Sequence, residues 1–90
     1  MSNSKSCEIH FTGNEEEVLY LSLILEEYKR AKELHGDFNS LHEGYAILLE
    51  EIDELWNEVK ANNSKRAFEE AIQVGAVALR FLIDTKKEGE

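Results

Sequence analysis

The stretch from Ala71 to Ile83 constrains the fold of this chain most, because Gln73 and Arg80 are its only polar residues. At the angular spacing of an α-helix, its apolar side chains point in all directions. A helix that is apolar on every side is buried on every side. A chain of 90 residues cannot easily surround one helix. We therefore expect this helix to contribute to a subunit interface.

Two amphipathic helices are predicted before this stretch. The first begins after Asn14, a good N-cap, and runs to about His35, where Gly36 supplies a C-cap. The second spans roughly Leu41 to Lys60 and begins after Ser40, another favourable N-cap.

Apolar side chains recur at intervals of three and four along both helices, which predicts the faces that pack. On the first helix they are Val18, Leu21, Leu25, Tyr28 and Ala31. On the second they are Leu41, Tyr45, Leu48, Ile52, Leu55, Trp56 and Val59.

The third helix is predicted from about Lys65 to Asp84, with Ser64 as its N-cap. The chain is therefore expected to be all-α, a small antiparallel bundle of about three main helices that is completed by oligomerisation. The expected organisation is an N-terminal arm over residues 1–13, a helical domain over 14–86 and a C-terminal tail over 87–90.

The net charge limits the kinds of partner that this protein is expected to bind. There are 19 acidic and 10 basic residues, a formal net charge of −9, which argues against binding to a nucleic-acid polymer or an anionic membrane. No apolar run approaches the ~20 residues of a membrane span. The single cysteine, Cys7, cannot form an internal disulfide, so we expect a cytoplasmic protein.

Acidic residues on the second and third helices predict a metal site. Glu51 and Glu54 are three residues apart, so their carboxylates lie on adjacent turns of one face. Glu70 and Gln73 share a polar face of the third helix. The short connection between the second and third helices favours antiparallel packing, which brings the two polar faces together. Magnesium prefers hard oxygen ligands of this kind, although an acidic run on a helix can also be a solvated face.

The same residues resemble a known motif. The MazG-like all-α nucleoside triphosphate pyrophosphohydrolases carry Glu-x-x-Glu, a spacer, and Glu-x-x-Asp on the next helix. Glu51 to Glu54 matches the first half, and Glu70 to Gln73 matches the second except at its last position. The segments Phe38 to Ala46 and Glu54 to Trp56 are also similar to MazG-like sequences, and the resemblance covers about residues 14–84.

The resemblance implies a magnesium-dependent enzyme that hydrolyses a nucleoside triphosphate, ribo or deoxy, to the monophosphate and pyrophosphate. Such an enzyme would remove unwanted nucleotides from the pool. It also implies a homodimer or homotetramer. Glu51 and Glu54 would be catalytic, and Glu51, Glu54, Glu70 and Gln73 would bind Mg²⁺ or Mn²⁺.

Gln73 departs from the motif, since an amide offers a neutral oxygen where the family has a carboxylate. This predicts weaker metal binding or a loss of activity. The alternative is a catalytically degenerate MazG-like helical protein that acts in binding or assembly. Gln73 could equally form a hydrogen bond in a buried interface.

Four residues are candidates for substrate binding, namely Phe38, Asn39, Lys65 and Arg80. A ring can stack on a nucleobase and an amide can bind its edge, and Trp56 is a further stacking candidate. Other roles compete: core packing for Trp56, turn formation for Asn39 and pairing with Asp84 for Arg80. Lys65 either attracts phosphate or solvates a turn.

Overall fold

The computed structural model describes residues 14–86, and the predicted arm and tail lie outside them. Three helices follow one another: α1 from Glu15 to His35, α2 from Leu41 to Lys60, and α3 from Ser64 to Thr85. The predicted all-α class is confirmed. Within the described residues, no helix combines the length and the apolar character that crossing a bilayer demands.

Side-chain caps set the helix starts. Asn14 Oδ1 accepts a hydrogen bond from the Glu17 backbone N–H at 3.0 Å, as the sequence predicts. The prediction of Ser64 as the third cap is wrong. Asn63 caps α3 by accepting from the Arg66 backbone N–H at 3.2 Å. Asn62, in the turn before the cap, has a positive φ of 57°. Ser64 is the first residue of α3.

The third helix lies between the other two, and within residues 14–86 α1 and α2 do not pack against each other. Two glycines mark the closest approaches. A Cβ atom on Gly44 of α2 would lie 2.6 Å from Phe81 Cδ1 of α3, and one on Gly75 of α3 would lie 3.0 Å from Ile24 Cδ1 of α1. The apolar circumference of α3 is therefore covered in part by its own chain.

The predicted apolar faces of α1 and α2 are only partly buried. Leu21 and Leu25 on α1 are exposed, because Ile24 is the side chain that meets Gly75. The expectation that Trp56 packs in the core is wrong, since 56% of this residue is exposed. No helix of the described chain lies against that side of α2, because α1 packs on α3 alone.

A buried carboxylate joins the end of α1, the following turn and α3. The Asp84 side chain is fully buried, and its Oδ2 accepts from the Phe38 backbone N–H at 2.9 Å. Lys32 Nζ of α1 pairs with the other oxygen, and Arg80 Nε lies 3.7 Å from Oδ2. The predicted pairing of Arg80 with Asp84 is thus confirmed. This network fixes the turn beside α3.

Replacing Asp84 by Asn tests the network. The amide keeps one acceptor but removes the charge that faces Lys32 and Arg80, so we expect the free energy of unfolding to fall by about 2–4 kcal/mol. Urea denaturation at one fixed protein concentration measures the change. Glu69→Gln, an exposed carboxylate-to-amide change on α3, should stay within about 0.5 kcal/mol of the parent. Equal stability of the two variants would contradict the role of Asp84.

Candidate functional site

Three carboxylates from two helices converge at one point. Glu51 and Glu54 of α2 and Glu70 of α3 each place an oxygen within 4.8 Å of the others. The i, i+3 spacing puts the first two on adjacent turns of α2. Because α2 and α3 run antiparallel, the N-terminal half of α3 passes the C-terminal half of α2. Glu70 therefore meets the pair, as the sequence predicts.

The cluster is partly shielded from water, and this changes its protonation. Burial is the main cause that raises the pKa of Glu70, and the charge of Glu54 raises this pKa further. Burial likewise raises the pKa of Glu51, with the charges of Glu54 and Glu70 adding to the effect. Glu70 Oε1 is inaccessible to solvent and has no hydrogen-bond partner among the described residues. Such an oxygen is costly unless a cation or a proton compensates it.

This donor set fits a hard divalent cation. Mg²⁺ binds oxygen at about 2.0–2.1 Å in an octahedron, so neighbouring ligand oxygens lie about 2.9 Å apart and opposite ones about 4 Å apart. The three carboxylates, within 4.8 Å of one another, would have to move inward to bind one ion together. Among the described residues this group contains carboxylates alone, which suit hard cations such as Mg²⁺, Ca²⁺ and Mn²⁺.

Gln73 lies one turn beyond Glu70 and is half-buried, close to Glu27 of α1. The pKa of Glu27 is lowered mainly by its hydrogen bond with Arg30, against the effect of burial, and the nearby Gln73 amide lowers it further. Glu27 of α1 therefore lies beside the polar face of α3 that carries Glu70 and Gln73.

The contribution of α1 was not predicted. Glu27 also lies close enough for its charge to raise the pKa of Glu51. Glu27 is three residues after Ile24 and so lies on the side of α1 that meets α3, which the structure identifies and the sequence does not. The sequence predicted a different packing face of α1, the one that carries Leu21 and Leu25.

A cleft of about 440 Å³ adjoins the cluster at the end nearest the α1–α2 turn. Glu51 lines both the cluster and the cleft. Three of the four predicted substrate-binding residues border the cleft or form its wall: Phe38, Asn39 and Arg80. The other lining residues are His35, Asp37, Glu43, Ile47 and Glu50. Its volume falls in the range of about 300–1,000 Å³ that small-molecule sites occupy.

Arg80 is the main cation of this cleft and is held firmly. Its guanidinium carbon lies 3.9 Å from the centre of the Phe38 ring, and its Nη2 donates to the Gly36 carbonyl at 3.0 Å. Phe38 is buried beneath it. Lys65, the fourth predicted substrate residue, is exposed on the first turn of α3 and does not line the cleft.

The raised pKa of Glu51 predicts how stability depends on pH. A carboxyl group that binds its proton more tightly when folded loses stability as pH rises from its ordinary value through the raised one. Without metal, Glu51→Gln should therefore raise the melting temperature by several degrees at pH 7 and make little difference near pH 4. Calorimetry measures both. Glu69→Gln, exposed on α3, serves as the control and should show no such dependence.

With added Mg²⁺ at pH 7, the wild type should instead have the higher melting temperature, because it binds the cation more tightly than Glu51→Gln does. A melting temperature of Glu51→Gln that equals the wild-type value at pH 7 without metal would contradict the repulsion within the cluster.

Comparison of the chain with protein-family models, with curated proteins and with solved structures finds no match. None of these comparisons supports the predicted resemblance to the MazG-like proteins, which stays a prediction from the segments Glu51 to Glu54 and Glu70 to Gln73 and their flanking residues.

Proposed function

We propose that this protein is a magnesium-dependent nucleoside triphosphate pyrophosphohydrolase. It would cleave between the α and β phosphates and add water to yield a nucleoside monophosphate and pyrophosphate. The observation that carries the proposal is the convergence of Glu51, Glu54 and Glu70 within 4.8 Å, with Glu70 Oε1 buried and without a hydrogen-bond partner among the described residues. A bound cation would compensate the charge of this buried carboxylate, whereas without metal a proton shared with Glu54 would do so.

The proposed division of labour follows from the positions of the side chains. Glu51, Glu54 and Glu70 would hold Mg²⁺ or Mn²⁺, and Gln73, three residues after Glu70, would contribute its amide oxygen. The ion would supply neutralisation of phosphate charge and activation of a water nucleophile. Glu51 and Glu54 would act at the reacting phosphate through the ion that they hold.

The substrate would lie along the groove between α2 and α3. Its phosphates belong at the carboxylate cluster, and its nucleoside belongs in the adjoining 440 Å³ cleft beside Phe38, Asn39 and Arg80. Glu50 lines the cleft next to Glu51 and is not a proposed metal ligand. It is therefore the candidate for the base that accepts the proton of the attacking water. Lys65, near the other end of the cluster, is left to attract phosphate from solution.

A second candidate function is favoured by Gln73. A site with one fewer carboxylate than the MazG-like motif binds metal less tightly, so the chain would keep the fold and act in binding or assembly. Both candidates involve a homodimer or homotetramer, because large apolar side chains on all three helices are exposed. The cytoplasm, where nucleotides are abundant, is the proposed location for either.

A pyrophosphate-release assay across the standard ribo- and deoxyribonucleoside triphosphates and a few modified ones tests the enzyme directly. We expect release that depends on Mg²⁺ and falls at least 100-fold in Glu54→Gln, because one of three charged ligands is lost. Glu69→Gln, an equal change at an exposed position of α3, should retain full activity.

Gln73→Asp separates the two candidates. Restoring a carboxylate should tighten Mg²⁺ binding severalfold, and a gain in turnover would follow if the amide limits the wild type. No release from either wild type or Gln73→Asp, with both proteins folded, would support the assembly role and rule out the proposed hydrolase.

A further inference from the structure

A row of large apolar side chains runs along a flank of α2 that α3 leaves uncovered. Its members are Tyr45, Leu49, Ile52, Trp56 and Val59, which we call the α2 stripe. Between 41% and 61% of each residue is exposed. Within residues 14–86, α2 packs against α3 alone, and no other helix covers this row.

The spacing of the α2 stripe is that of a helix–helix seam. Successive members are four, three, four and three residues apart, which is the alternation of a heptad repeat. The row extends over about 21 Å at 1.5 Å per residue. A continuous row of this length is filled best by another helix whose apolar residues repeat in the same way.

The two sides of α2 carry different chemistry. At about 100° per residue, Glu54 lies opposite the middle of the stripe, and Glu50, Glu51 and Glu58 lie on the same far side. Asp53 is the one acidic residue that borders the stripe. The acidic surface therefore faces the cluster and the solvent, so the stripe can be covered without bringing most of the negative charge of α2 into contact.

We propose that the α2 stripe is the interface between two copies of this chain, packed about a two-fold axis. A two-fold contact uses the same surface on both partners, so a stripe with matching spacing is present on each copy without a second protein. The inference does not depend on the proposed hydrolase, since it concerns the opposite side of α2.

The exposed area is adequate for the core of such an interface. A large side chain buries about 150–250 Å², so five half-exposed members offer roughly 400–500 Å² from each copy. A stable interface buries about 800 Å² per partner, of which the centre is apolar and the rim polar. The stripe supplies the apolar centre, and its single tryptophan and its tyrosine are residue types enriched at such centres.

A second apolar surface provides a matched comparison. A groove of about 590 Å³ lies between α1 and α3 and is lined by Val18, Leu21, Leu25 and Leu82 among others. Leu21 is 46% exposed there, and Leu49 in the α2 stripe is 41% exposed. The same substitution at these two leucines therefore places the same charge on two helix surfaces of similar exposure.

Sedimentation velocity of the full chain with Leu49→Glu and Leu21→Glu tests the proposal. We expect the wild type to sediment as a dimer or larger at ~10–100 µM, the range for a modest interface. Leu49→Glu should weaken association at least 100-fold. Leu21→Glu should retain the α2-mediated dimer. Circular dichroism checks that helix content is unchanged. A monomeric wild type, or a Leu49→Glu variant of wild-type mass, would overturn the proposal.

Trp56, the only tryptophan of the chain, gives a second readout that needs no variant. It is 56% exposed in the single copy, so dimerisation through the stripe should shift its emission to shorter wavelength and reduce quenching by acrylamide. Both changes should follow the concentration dependence of sedimentation. Association without any change in Trp56 emission would place the interface elsewhere, even if both leucine variants dissociate.

Discussion

Phe81 of α3 lies so close to the α2 backbone that a Cβ atom at Gly44 would be 2.6 Å from its ring. This contact sets the register of the antiparallel pair. Ten residues further along α2, Glu54 reaches the level of Glu70, which lies eleven residues back along α3. The carboxylate cluster is thus a consequence of the register, and a slip by one helical turn would separate its members.

Because α3 lies between the other helices, it contributes both to the carboxylate cluster at one end of the molecule and to the cleft at the other. Its polar residues, Glu70, Gln73, Arg80 and Asp84, are held along the groove that it shares with its neighbours. Asp84 fixes the α1–α2 turn and, through Arg80, the wall of the cleft, while Glu70 completes the cluster about 21 Å away along the helix axis.

Local signals in the sequence predicted the helices well. Asn14, Ser40 and Gly36 marked helix ends because capping depends on residues within one turn, and the bounds of α2 agree with the prediction. The one error in capping, Ser64 for Asn63, arose where three consecutive polar residues all suit a cap. The convergence of Glu51, Glu54 and Glu70 was also predictable, since i, i+3 spacing and an antiparallel neighbour determine it.

Features that depend on which helices meet could not be predicted in this way. Periodicity identified an apolar side of α2 but did not show that α1 would leave it uncovered, so Trp56 was assigned to the core. Glu27 was missed for a related reason, because its role depends on how α1 is rotated against α3. Gln73, in contrast, was recognised from the sequence alone as a departure from a motif, and it lies close to Glu27.

The proposed function requires that Glu51, Glu54 and Glu70 bind a divalent cation. Crystals grown with Mn²⁺ test this binding most directly, because the anomalous scattering of manganese locates the ion without reference to activity. We expect an anomalous peak between the three carboxylates, with an oxygen of each within about 2.3 Å. A well-ordered structure with no peak there, under conditions that place Mn²⁺ elsewhere on the protein, would contradict it.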